Sequence, residues 1–102
     1  MAQFHVYLNE NEANQDRYPY LLDIQHDLLN HLETRLIIPL GKMGEERVKQ
    51  LHLPVEIRGE HFIMVTTEMA SAPLWILGKE VADLSGHASD IINAIDFLIT
   101  GF

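Results

Sequence analysis

The sequence predicts a mainly β domain of about five to seven short antiparallel strands followed by one C-terminal α-helix. Three observations carry this. Short segments rich in β-formers recur along the first four-fifths of the chain, separated by Gly, Pro and Asn-rich turns. Several of these segments alternate apolar and polar residues. The last stretch, about residues 86–100, changes period: Ala88, Ile91, Ile92, Ile95, Leu98 and Ile99 follow the spacing of an amphipathic helix.

The elements follow in order. Phe4, His5, Val6, Tyr7 and Leu8 form an opening strand. Residues 9–17, rich in Asn and acidic residues, form a loop or hairpin tip. Residues 18–25 form a second strand with Pro19 at its start. Residues 27–34 are ambiguous, because Leu28, Leu29 and Leu32 have helical spacing in a short segment. Residues 35–40 form a third strand, expected to stop or bulge at Pro39, and residues 41–51 a loop with one helical turn. Val55 and Ile57 alternate with Glu56 and Arg58, Gly59 and Glu60 turn the chain, and residues 61–67 form a denser apolar strand buried on both faces. Leu74 to Leu77 and Lys79 to Leu84 read as two shorter strands around Gly78. Ser85 is the expected N-cap of the helix, Asp90 favours its dipole, and Gly101 ends it.

Composition bounds the function. A chain of 102 residues fits one domain, residues 1–102, and its 47% apolar content allows a real core. The absence of cysteine removes disulfides, thiolate metal sites and cysteine nucleophiles. No signal-like or membrane-spanning segment is visible, so a cytoplasmic protein is expected. Seven basic residues against 15 acidic ones give a net charge of −8. That surface repels phosphate, so direct nucleic-acid binding is disfavoured and a protein partner is favoured.

Catalytic patterns are lacking. The six histidines are scattered, the nearest pair being His26 and His31, and no metal site is expected. Ser71 lacks the glycines of a nucleophile elbow and reads as a turn serine bonded to nearby backbone. Gly41-Lys42-Met43-Gly44 lacks the spacing of a phosphate loop. The unusual feature is the tail, whose apolar character runs on to Phe102. Self-burial of that aromatic and its use as a partner anchor are both open from the pattern alone.

An ordered set of motifs resembles the CcdB family of toxins from toxin–antitoxin modules. They are Gln3-Phe4-x-Val6-Tyr7, Asp23-Ile24-Gln25-x-Asp27, Arg35-x-x-Ile38-Pro39-Leu40, and Thr66-Thr67-Glu68-Met69-Ala70-Ser71-x-Pro73. Gly78-x-Glu80-Val81-Ala82-Asp83-Leu84-Ser85 then leads to Asp90-Ile91-x-Asn93-Ala94-Ile95 and a penultimate Gly101. The resemblance implies an SH3-like barrel with a C-terminal helix and a two-fold homodimer with its helix ends close together. It also implies a non-enzymatic action without cofactor: the paired ends enter the DNA gyrase A subunit dimer and trap the cleaved gyrase–DNA complex. A CcdA-type antitoxin reverses this. The positions matching the family's gyrase contacts are Leu28, Leu29, Asp96, Ile99, Thr100, Gly101 and Phe102. The best-known members have a tryptophan where this chain has Thr100, and an aliphatic residue where it has Phe102. The alternative on the same superfold is a ribonuclease toxin of the MazF or Kid type, which needs basic residues to hold RNA.

Overall fold

The computed structural model describes residues 1–42 and 48–101. Among them the strands are β1 (His5–Asn9), β2 (Tyr20–Asp23), β3 (Thr34–Lys42), β4 (His52–Ile57), β5 (Glu60–Val65), β6 (Ala70–Pro73) and β7 (Leu77–Asp83), and α1 is Ala88–Thr100. Every pairing is antiparallel, in one sheet of order β4-β5-β3-β2-β1-β7. β6 adds to β3 off that path. The long β3 divides its ladder: Thr34 to Ile37 face β6, and Leu40 to Lys42 face β5. This division curls the sheet into a half-barrel, and α1 packs against β4 and the turn after β5. The mainly β fold with one terminal helix is as expected.

Alternation places two apolar clusters on opposite faces of the sheet. Val6, Leu22, Ile38, Leu40, Ile57, Phe62 and Met64 point to the concave face, where Leu84 and the helix residues Ile91 and Ala94 close the core. Tyr7, Leu21, Ile37, Ala72 and Leu77 form the smaller cluster. Phe62, Ile63, Met64 and Val65 are all buried, so β5 is covered on both sides, as its dense apolar run requires. The β4–β5 turn is Arg58 and Gly59, with φ of 52° and 83°. Positive φ at both central residues is the type I′ pattern whose twist matches the flanking strands.

Several expectations are corrected. β3 runs through Pro39 without stopping. Pro39 falls where β3 changes neighbour from β6 to β5, so its missing N–H lies where the ladder on that side is interrupted. Ser71 is not in a turn but in β6, paired with Leu36. Leu74–Ile76 is a 3-10 turn rather than a strand, and β7 runs through Gly78 as one piece. Ser85 opens a 3-10 turn, Ser85–His87, and is not the cap of α1. The residue preceding α1 is His87, which makes no side-chain cap bond. Within α1 the buried residues are Ile91 and Ala94, whereas Ile92 and Ile99 face outward. The apolar stripe is therefore wider than the core needs. Of the loop expected at 41–51, residues 43–47 lie outside the described residues.

Candidate functional site

Two exposed apolar features stand out, and each is built by a different local device. The first is the segment between β2 and β3. Residues 26–34 are all exposed, and Leu28 is 81% accessible, yet the segment is closely hydrogen-bonded. Asp27–Leu29 form a 3-10 turn whose first N–H groups need acceptors. His26 supplies one: its Nδ1 accepts the Leu28 N–H at 3.1 Å. Within the turn, the Leu29 N–H bonds to the His26 carbonyl and the Asn30 N–H to the Asp27 carbonyl.

Beneath this turn lies a buried ion pair. Arg35 and Asp23 are both fully buried. The Arg35 Nε donates to Asp23 Oδ2 at 2.9 Å, and Nη2 lies 2.7 Å from the same oxygen. Nη2 also donates to the Gln25 carbonyl at 3.0 Å, and Nη1 donates to Asn30 Oδ1. The other Asp23 oxygen accepts the Gln25 N–H at 3.0 Å. Burial nonetheless pushes the Asp23 carboxyl above its ordinary range, against the lowering effects of the Arg35 hydrogen bond, the Gln25 N–H and the Arg35 charge. Gln25 completes the frame. Its amide donates to the carbonyls of Leu29 and Thr34 at 3.1 and 3.3 Å, and its oxygen accepts the Leu36 N–H at 3.1 Å.

The second feature is the end of α1. Ile99 is 72% exposed, and Asp96, Thr100 and Gly101 are also exposed. Gly101 adopts the left-handed conformation at φ 79°, and its N–H bonds back to the Phe97 carbonyl at 2.9 Å. This is the expected glycine terminator. Phe102, singled out from the sequence, lies outside the described residues. The remaining positions thus fall on two separate elements, Leu28 and Leu29 on the turn, Asp96 to Gly101 on the helix end, and all are accessible.

A third apolar surface was missed by sequence reading. Trp75 is 70% exposed, beside Leu74, which is also exposed, on the 3-10 turn that follows β6. The Leu74 N–H bonds to the Glu33 carbonyl at 3.1 Å, which ties this turn to the leucine-bearing segment. Leu36, on the neighbouring β3, is exposed as well. A strand reading of Leu74 to Leu77 hid the feature. The signal was the single tryptophan of the chain, flanked by Leu74 and Ile76 with no polar residue to alternate with them.

No group of three or more potential metal ligands gathers among the described residues. His5 sits between two carboxylates of β7, with Nδ1 2.9 Å from Glu80 and Nε2 3.4 Å from Asp83. Two open hollows lie on the surface of the described residues. One of about 360 Å³ lies between α1 and β4 and is lined by Leu53, Asp90, Asn93 and Phe97. The other, about 150 Å³, is lined by Asn9, Asn14, Ile37 and Ser71. No helix among the described residues is long and apolar enough to cross a membrane.

The fold matches solved toxin structures. The Mycobacterium tuberculosis toxin MazF-mt6 superposes with a TM-score of 0.77 at 14% identity, over 93% of this chain and 95% of that one. A structure described as an Mtb toxin superposes with a TM-score of 0.71 at 14% identity, over 88% of this chain and 94% of that one. At that identity the likeness is one of fold. The family model described as CcdB protein matches residues 3–101. With nearly the whole sequence matched and the half-barrel and terminal helix in place, the chain belongs to the CcdB family of toxins from toxin–antitoxin systems.

Proposed function

We propose that this toxin binds the DNA gyrase A subunit dimer through the end of α1 and the Leu28–Leu29 turn, and traps the gyrase–DNA cleavage complex. It acts by binding and carries out no reaction of its own. The observation that carries this reading is the accessibility of the apolar side chains Leu28, Leu29 and Ile99, which stand where the sequence resemblance implies the family's gyrase contacts. Apolar side chains left in water on a folded domain mark interaction surfaces where they gather into a patch. The acidic surface, with a net charge of −8, favours a protein partner over nucleic acid.

The active species is a homodimer, with a CcdA-type antitoxin as the neutralising partner in the cytoplasm. The exposed Leu36, Leu74 and Trp75 supply the face that a second copy covers, because the monomer leaves them in water. The antitoxin supplies the basic residues that complement the acidic surface. The decisive experiment combines the purified chain with gyrase of its own host and plasmid DNA. Linear, protein-linked DNA accumulates if the reading is right, and its absence refutes it. Removal of Gly101 and Phe102 abolishes that accumulation while leaving fold and dimer intact.

The fold likeness to MazF-mt6 makes ribonuclease activity the second reading. Arg35 is fully buried, with its guanidinium held by Asp23. Arg17 lies over the Tyr18 ring at 5.1 Å, and Arg58 occupies the β4–β5 turn. An RNA cleavage assay without gyrase separates the two readings.

A further inference from the structure

We infer that Arg35 is a positioning residue for the loop leucines: through Asn30 and the Gln25 carbonyl it holds residues 25–34 in the shape that projects Leu28 into solvent. This rests on the reading that Leu28 and Leu29 touch gyrase, and it adds the element that presents them.

Burial contributes little to ordering the segment. Residues 26–34 are all exposed, and the 3-10 turn carries no buried side chain. A surface segment without core contacts ordinarily opens at little cost in free energy. Its order comes largely from polar contacts, and Arg35 and Gln25 supply most of them. One side of the guanidinium is fixed in the core by Asp23. The other side reaches the Asn30 side chain and the Gln25 carbonyl, which bracket the turn. Asp27 adds a longer ionic contact at 3.9 Å and also accepts the Gln3 N–H at 2.8 Å. Gln25 itself spans the loop, bonding Leu29, Thr34 and Leu36.

A stabilising role is the competing explanation, and the chemistry weighs against it. Removing two charges from water costs about as much as their attraction returns, so apolar replacements of buried pairs are often neutral or stabilising. Burial pushing the Asp23 carboxyl upward despite its arginine partner agrees with that balance. What the pair supplies that apolar residues cannot is a fork of directed donors aimed at the loop. A leucine held in place before binding loses less freedom when it docks.

The test leaves the buried pair intact and cuts its outward arm. Asn30 is exposed, so Asn30→Ala removes the Nη1 acceptor without touching Asp23. Asn30→Asp keeps an oxygen there and serves as the conservative rescue. In the full-length chain, amide hydrogen exchange at Leu29 and Asn30 is expected to quicken about tenfold in Asn30→Ala, with β3 amides unchanged. Asn30→Asp is expected to restore protection. Affinity for the gyrase A subunit should fall about tenfold in Asn30→Ala, but less than about twofold when Leu28→Ala is already present, because residues acting through one another are not additive. Unchanged exchange at the turn overturns the inference, as does an equal loss on the Leu28→Ala background. If Leu28→Ala does not weaken binding to gyrase, the contact reading fails instead. The exchange data then still decide whether Arg35 orders the loop. Arg35→Met combined with Asp23→Asn, which leaves no unpaired buried charge and keeps an acceptor for the Gln25 N–H, adds a check that does not depend on Asn30: rapid exchange confined to residues 25–34 supports positioning, and a protected loop in that variant refutes it.

Discussion

The hydroxyl of Thr100 donates to the carbonyl of Asp96 at 2.7 Å, one turn back along α1. Its polar atom is thereby satisfied within the helix, and an exposed methyl is what it offers a partner. An aromatic ring at this position would present far more surface for the same backbone. Thr100→Trp is therefore expected to tighten binding to the gyrase A subunit at least about tenfold with no change in melting temperature. Calorimetry against the isolated subunit measures it. An unchanged affinity removes position 100 from the interface.

Two isoleucines on α1 should separate binding from stability. Ile91 is fully buried against the sheet, and Ile99 is 72% exposed. Ile91→Ala is expected to cost about 2–5 kcal/mol of folding stability. Ile99→Asp puts a carboxylate at the negative end of the helix and is expected to cost no more than about 1 kcal/mol in stability. In a gyrase cleavage assay, however, Ile99→Asp should lose activity. Denaturant titration of both variants, run beside that assay, checks the pair. A large stability loss in Ile99→Asp would show that the helix end folds against its own domain.

The contrast between these residues shows where sequence reading succeeded and where it stopped. The period of α1 was legible because a helix repeats its core contacts every three or four residues, and Gly101 marked its end. Which apolar residues faced inward was not legible, since Ile91, Ile92, Ile95 and Ile99 are chemically alike and the stripe is wider than the core. β5 and the β4–β5 hairpin were legible from a dense apolar run behind a glycine turn. β6 was not, because Ala70, Ser71, Ala72 and Pro73 are short and weak β-formers, and their strand exists only through pairing with β3. The leucine turn was ambiguous for a related reason. Its shape depends on Arg35 and Asp23, and their pairing is a tertiary contact that no local pattern records.

Trp75 provides a test of assembly. If the second copy covers Leu36, Leu74 and Trp75, then Trp75→Glu places a charge in that interface and should yield a folded monomer. Light scattering coupled to size-exclusion chromatography reads the mass, and circular dichroism reads the fold. Trp75→Phe keeps an apolar ring and should remain dimeric at concentrations where Trp75→Glu is monomeric. A dimeric Trp75→Glu variant would move the interface elsewhere.

Asp83 gives a pH prediction with a definite sign. Its Oδ1 accepts the Ser85 N–H at 2.8 Å and lies 3.4 Å from His5 Nε2. The Ser85 N–H first, then the Ser85 hydroxyl and the nearby His5, hold its carboxyl below the ordinary value of 3.8. The folded state therefore prefers the ionised form. Asp83 contributes its full stabilisation above the unfolded value, and that contribution is lost as pH falls through the lower, folded value. Asp23 is shifted the opposite way, so the total slope mixes both, and a variant at Asp83 isolates one of them. Asp83→Asn keeps an acceptor for the Ser85 N–H but cannot titrate. From about pH 5 to about pH 3 the melting temperature of the parent should fall more steeply than that of the variant. The two curves should draw together at the acid end. Parallel curves across that range would mean that the Ser85 contact does not discriminate between the charged and neutral carboxyl, and that the join between β7 and the approach to α1 is insensitive to acid.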